Sequence, residues 1–353
     1  MKKMMMALCL GAMTVPSAAY AQKTIDLTVA SSHPLVVPWV GMIKSHFMAR
    51  TDEILAETGN YQIEWNEAFG GQLYKANATL TSVEEGITDI GWVFSFLEPA
   101  KLPLSQASSY APFATANPPV QLAVMEELFE TNEAFRNEWE QYNLKVLAFT
   151  GTDMYDIYTK KPLKGIADIN GMKLSAPGVL GNWLRGTGAN AVDGSLTTYY
   201  TDIQTGVSLA LGILPTKVYE VAPYINRFDA GGAFSGAVAI NRDVWDDLPE
   251  EVQNAMVEAG QFYTEAHGKD LLERHEFALN KMVELGANQN PPVEIIVMPQ
   301  EERQKWVDAL PDVAGEWAAQ LESQGVPAKA FLAAYMDGLR ERGEEPVRDW
   351  GAQ

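Results

Sequence analysis

After Pro249 the chain runs to Leu285 without a proline, and only Gly260 and Gly268 interrupt a series of good helix formers. Val252, Met256, Ala259, Phe262, Tyr263, Ala266, Leu271, Phe277 and Met282 recur at roughly helical spacing and predict one apolar stripe. Unbroken, such a helix extends roughly 55 Å at 1.5 Å per residue. That exceeds the width of one small domain, so the helix is expected to run along two lobes. A bend into two helices near Gly268 is the alternative. The length of 353 residues agrees with two lobes, because a single core of that size is uncommon.

The remaining pattern is that of an α/β chain. Strands are expected over Thr24–Ala30, Tyr61–Asn66 and Asp89–Phe94, where β-branched and apolar residues alternate or cluster. Helices are expected over Trp39–Glu57 and Ala76–Glu85 between them, and over Pro118–Trp139 after them. Strand, helix, strand, helix, strand predicts a mainly parallel sheet. Further strands are expected at Leu144–Thr150, Met154–Tyr158, Lys173–Ser175, Ala189–Asp193, Ser208–Leu214 and Phe234–Asn241. No flexible linker separates the two sets, so the strands themselves are expected to cross between lobes. The division reads 22–149 with 238–284 as the first lobe, and 150–237 with 285–353 as the second.

The first 21 residues read as a cleaved signal peptide. Lys2 and Lys3 precede the apolar stretch Met4–Val15, and Ala19-Tyr20-Ala21 has the A-x-A form of a cleavage site. The stretch is too short to span a bilayer. A periplasmic location follows as an expectation. The single cysteine, Cys9, lies in this leader, so disulfides, thiolate metal sites and cysteine nucleophiles are excluded from the mature chain. Loss of two lysines and no acid moves the net charge from −20 to about −22, which argues against nucleic acid as a partner.

Catalytic patterns are missing. His33, His46, His267 and His275 form no H-E-x-x-H, and Gly232-Ala233-Phe234-Ser235-Gly236 carries its serine one place too late for a nucleophile elbow. Gly186-Thr187-Gly188-Ala189-Asn190-Ala191 follows a helix-like stretch rather than a strand, so it reads as a helix end and not a dinucleotide loop. No enzyme, metal or cofactor is expected.

Several segments, taken in order, carry a resemblance. Phe69-Gly70-Gly71-Gln72-Leu73 and Glu84-Glu85-Gly86-Ile87-Thr88-Asp89-Ile90 resemble the G-Q-L…G-x-x-D-[MI] stretch of the substrate-binding subunits of TRAP transporters, the DctP-like family. Asp168–Leu174 looks like the family's D-L-K-G-x-K-[IL], followed by Pro177-Gly178. Tyr200–Val207 is similar to Y-x-A-L-Q-x-G-V, and Val238–Pro249 to the passage V-x-x-I-N-x-x-x-W-x-x-L-P before a long helix. The resemblance covers Thr24 to about Ala314 and implies a two-lobed, type II-like periplasmic binding protein with an interlobe ligand cleft. It also implies a small-molecule solute and a membrane permease as partners. A monomer and a homodimer through C-terminal helices, with Trp306, Trp317 and Phe331 in packing or contact, both stay open. A sensory subunit with the same closed trap is the alternative role.

Two departures bear on the ligand. The family's residue after K-[IL] is an arginine that grips a carboxylate bidentately, and here it is Ser175. Where the family has an acid-glycine and a polar pair, this chain reads Leu209-Ala210-Leu211-Gly212-Ile213. Typical dicarboxylates are therefore disfavoured. The aromatics Trp39, Trp92, Phe94, Phe96, Tyr155, Tyr199, Tyr200 and Phe234 are expected to face the cleft, and all of these but Phe96 and Tyr199, with Asp156, Ser175, Asn182 and Ile213, are the candidate ligand contacts. A cage of rings with a carboxylate suits an amine, and one with hydroxyls a neutral or aromatic compound. About half of these rings are expected in the core, Trp92 and Phe94 on opposite faces of one strand. Arg185 or Arg227 is the alternative clamp for an organic acid.

Overall fold

The computed structural model describes residues 22–194, 198–205, 207–211 and 214–351, and side chains within 203–213 are not described. The leader 1–21 and Ile213 lie outside the described residues. Among the described residues, eleven strands form two sheets: β1 (Lys23–Ala30), β2 (Tyr61–Ala68), β3 (Ile90–Phe94), β4 (Leu144–Gly151), β5 (Tyr155–Thr159), β6 (Lys173–Ala176), β7 (Asn190–Asp193), β8 (Val207–Leu211), β9 (Tyr224–Arg227), β10 (Phe234–Asn241) and β11 (Glu294–Val297). The first sheet has the order β2-β1-β3-β10-β4, and the second β11-β9-β5-β8-β6-β7. In the first, β1 pairs in parallel with β2 and β3, while β10 runs antiparallel between β3 and β4. A return strand in an otherwise parallel sheet brings the chain back from the other lobe.

The crossings lie between β4 and β5 and between β9 and β10. They are laced together: Thr152 N donates to Ala233 O at 2.8 Å and Tyr155 N to Gly231 O at 3.1 Å. Ala233 N in turn donates to Thr152 Oγ1 at 2.8 Å. Gly231 has φ +105°, a backbone state open to glycine, and a Cβ there would lie 2.7 Å from Thr115 O.

The helix Glu250–Gly286 is continuous through Gly268, so the bend is not formed. Both glycines are on its buried face. A Cβ on Gly260 would lie 1.8 Å from Leu147 O of β4, and one on Gly268 would lie 2.9 Å from Pro119 Cα. They are points of close backbone approach, with no break in the helix. The apolar stripe needs correction at two places: Phe262 and Phe277 face solvent, 45% and 62% exposed, while His267 and His275 are buried. The helix packs on the first sheet through Val252, Met256, Ala259 and Tyr263, and on the second through Leu279 and Met282.

Expected helix Pro118–Trp139 is two helices, Pro118–Thr131 and Glu133–Glu140. Asn132 ends the first and caps the second, its side chain accepting from Phe135 N. The helix Ala328–Glu341 lies on the first of these, with Gln121 Nε2 donating to Tyr335 Oη at 3.3 Å. Residues 313–350, read above with the second lobe, thus also touch elements that precede Thr150. Trp306, Trp317 and Phe331 are buried within the single chain and pack in its core.

Candidate functional site

The C-terminal end of β3 carries a ladder of rings. Trp92 and Phe94 stack at 4.9 Å and Phe94 and Phe96 at 5.9 Å, each pair inclined by 23°. Residues two apart in a strand share a face, so the expectation of opposite faces was wrong. Trp39 leans on Trp92 at 5.7 Å, and His33 meets Trp92 and Phe94 edge-on at 5.2 and 6.0 Å. His33 belongs to the loop after β1, which is fastened to the Gly70-Gly71 turn by Gly70 N donating to His33 O at 3.0 Å. Burial lowers the His33 pKa below its ordinary value of 6.5, so the ring is mostly neutral at pH 7. The Trp92 indole is held by Thr150, to which it donates at 2.9 Å. Trp39 Nε1 is a buried donor without a hydrogen-bond partner among the described residues.

The second sheet presents a polar counterpart. Its strands β6, β7 and β8 are parallel, and small ligands bind outside the carboxyl ends of such strands. Ser175, near the end of β6, is buried and donates its hydroxyl to Asp202 Oδ2 at 2.8 Å. Thr198 Oγ1 donates to the same oxygen at 2.7 Å. Asp202 sits in the first turn of the helix Tyr199–Thr205, which enters β8. The two halves meet at Gly178, just beyond β6. It has φ +48°, its N donates to Asp193 Oδ1 at 3.2 Å, and a Cβ there would lie 3.8 Å from the Phe96 ring.

The remaining candidates are placed as follows. Tyr155 is buried edge-on to Trp183 at 5.9 Å. Its neighbour Asp156 points to the other face of β5 and into the long helix, where Oδ2 lies 3.6 Å from His275 Nε2. It is therefore packed beneath the sheet with no place in the ring ladder. Phe234 is core, against Phe149 at 5.8 Å and Phe135 at 6.4 Å. Tyr200 is 36% exposed and Tyr199 beside it is buried. Asn182 is half-buried and donates to Val179 O at 3.0 Å. Arg185 pairs with Glu316 at 2.6 Å on the surface, and Arg227 with Asp229 at 2.8 Å and Glu276 at 2.6 Å. His33 and Asp202 were missed as candidates, whereas Phe96 was expected at the cleft with Trp92 and Phe94. Asp202 had only its departure from the alanine of Y-x-A-L-Q to mark it.

Two sheets laced by crossing strands define a two-lobed fold of the periplasmic binding-protein kind, with the ring ladder on one sheet and the Ser175–Asp202 pair on the other. The chain belongs to the bacterial extracellular solute-binding protein family 7, DctP, whose model matches residues 31–320. It is similar to a solute-binding protein of Sulfitobacter sp. strain NAS-14.1, 24% identical over 190 residues, or 52% of this chain and 55% of that protein. The match thus spans about half the length of that curated relative. In fold it is similar to a TRAP periplasmic solute-binding protein of Desulfovibrio salexigens in an open complex, with TM-score 0.76, 21% identity and 93% and 98% of the two chains covered. A marine metagenome TRAP protein specific for aromatic acids, in complex with 3-hydroxybenzoate, gives TM-score 0.77 at 18% identity, covering 92% and 100%. A Sulfitobacter sp. NAS-14.1 protein with bound β-D-galacturonate gives 0.69 at 18%, covering 89% and 100%.

Proposed function

We propose that this chain is the solute-binding subunit of a TRAP transporter, closing on one small molecule and presenting it to a membrane permease from the periplasm. The observation that carries this reading is the pair of half-sites meeting at Phe96 and Gly178 beside a two-strand hinge. A ligand that touches both halves favours the closed state by its extra contacts there. The same trap without a permease would serve a sensor. The family favours transport.

The ligand is an amine or a neutral or aromatic compound and no typical dicarboxylate. The structural relatives bind 3-hydroxybenzoate and galacturonate, both acids. Here the position for a clamping arginine holds Ser175, and both alternative arginines are engaged by acidic partners elsewhere. A carboxylate buried without its charge-assisted pair would lose several kcal/mol.

Thermal unfolding of the mature chain against organic acids, amines, betaines and neutral aromatics tests the reading. A ligand at a thousand times its Kd stabilises by ~4 kcal/mol. The solute that shifts the transition should also lower the radius of gyration in solution scattering. Stabilisation by dicarboxylates alone would contradict the ligand class, and a bound solute without compaction would contradict the trap.

A further inference from the structure

We propose that Asp202 is the specificity-determining residue of this cleft and selects a cationic amine, its carboxylate set where an anion-binding site needs a guanidinium. This rests on the solute-binding reading above. The juxtaposition of two departures carries it. Ser175 replaces the arginine expected after K-[IL], and Asp202 replaces the alanine of Y-x-A-L-Q; the two side chains are hydrogen-bonded at 2.8 Å. Exchange of arginine for serine removes one positive charge, and exchange of alanine for aspartate adds one negative charge at the same spot.

The surroundings fit such a pair. A Cβ on Gly194 would fall 1.7 Å from Ser175 Oγ and 2.9 Å from Asp202 Oδ2, so this notch exists only because glycine follows β7. Thr198 supplies a second hydroxyl to Oδ2 from the start of the same helix. Together, the two donors fix the direction of the carboxylate. At the junction, a Cβ on Gly178 would lie 3.8 Å from the Phe96 ring, on which Phe94 stacks at 5.9 Å. Ring faces attract cations, and an aromatic wall opposite a carboxylate is the recognition chemistry of organic ammonium groups. A ligand carboxylate would meet a like charge there, which disfavours it even where its ring would stack.

The probes are tyramine, phenethylamine, choline and putrescine, each measured by calorimetry beside the matched acid 4-hydroxyphenylacetate and an uncharged phenol. Wild type should bind at least one amine and prefer tyramine to 4-hydroxyphenylacetate by at least tenfold. Asp202→Asn keeps the shape and the hydroxyl contacts and should weaken that amine at least tenfold. Ser175→Arg should do the same by placing a guanidinium against Asp202. If 4-hydroxyphenylacetate or the phenol binds and no amine does, solute capture stands and the role of Asp202 is wrong. Unchanged amine affinity in folded Asp202→Asn also overturns it. If no solute of any class binds, the solute-binding reading falls with it.

Discussion

His275 lies buried between two carboxylates, 3.1 Å from Asp153 Oδ2 and 3.6 Å from Asp156 Oδ2. Burial alone would lower its pKa, but the Asp153 hydrogen bond and both negative charges outweigh that and raise it above 6.5. Burial pushes Asp156 from 3.8 up to about 7, against the pull of His275. Both groups therefore hold a proton more tightly in the folded chain than in the unfolded one. The stability they contribute is present below their ordinary values and is lost as pH rises through the folded ones. For Asp156 that interval runs from about pH 4 to 7, and His275 extends it above 6.5; across it the folding free energy should fall by up to about 1.4 kcal/mol per pH unit for each extra proton held, and the melting temperature with it. Asp156→Asn should flatten that slope in a pH series of thermal melts. An equal slope in the variant would show that the buried cluster does not titrate in this window. None of this was legible in the sequence: Asp156 beside Tyr155 read as a ligand group, and the alternation of β5 puts the two on opposite faces.

The long helix shows how far element-scale reading reaches. Its extent followed from the absence of proline, yet the stripe was misread at Phe262 and Phe277, because hydrophobicity marks which residues can be buried and not which are. The two glycines, read as weak points, are where the helix lies closest to β4 and to Pro119. Alanine at 260 gains about 1 kcal/mol of helix propensity but drives a Cβ into the Leu147 carbonyl. Overpacking against backbone wins, so Gly260→Ala should destabilise by about 1–3 kcal/mol in denaturant unfolding. Phe277→Ala, on the exposed side, should stay within about 0.5 kcal/mol. A stabilised Gly260→Ala would mean that the helix can lift off the sheet at no cost. Nine strands were legible from alternation and clustering. The other two, β9 and β11, were not, since Tyr224-Ile225-Asn226-Arg227 has no apolar rhythm. Asn226 is fully buried there as a bracket, accepting from Leu163 N and donating to Ile157 O.

At the scale of the whole molecule, the two-lobed plan was legible because length, helix span and collinear motifs all pointed the same way. The site was legible only in part. Ring ladders and facing hydroxyls are made by residues brought together from distant segments, and Ser175 and Asp202 became neighbours only through the pairing of β6 with β8. The net charge of −20 agrees with a cationic solute, because a negative surface raises the local concentration of cations at low salt.

The position of β10 has a consequence for how the chain is made. It is the penultimate strand in sequence, yet it lies inside the first sheet between β3 and β4. A growing polypeptide therefore cannot complete its first core until residue 241 has emerged, long after β1–β4 are available. A fragment ending at residue 233 should show no cooperative melt, whereas independent melting would mean that β3 and β4 can pair without the insert. Late insertion of a central strand delays compaction and keeps the nascent chain threadable.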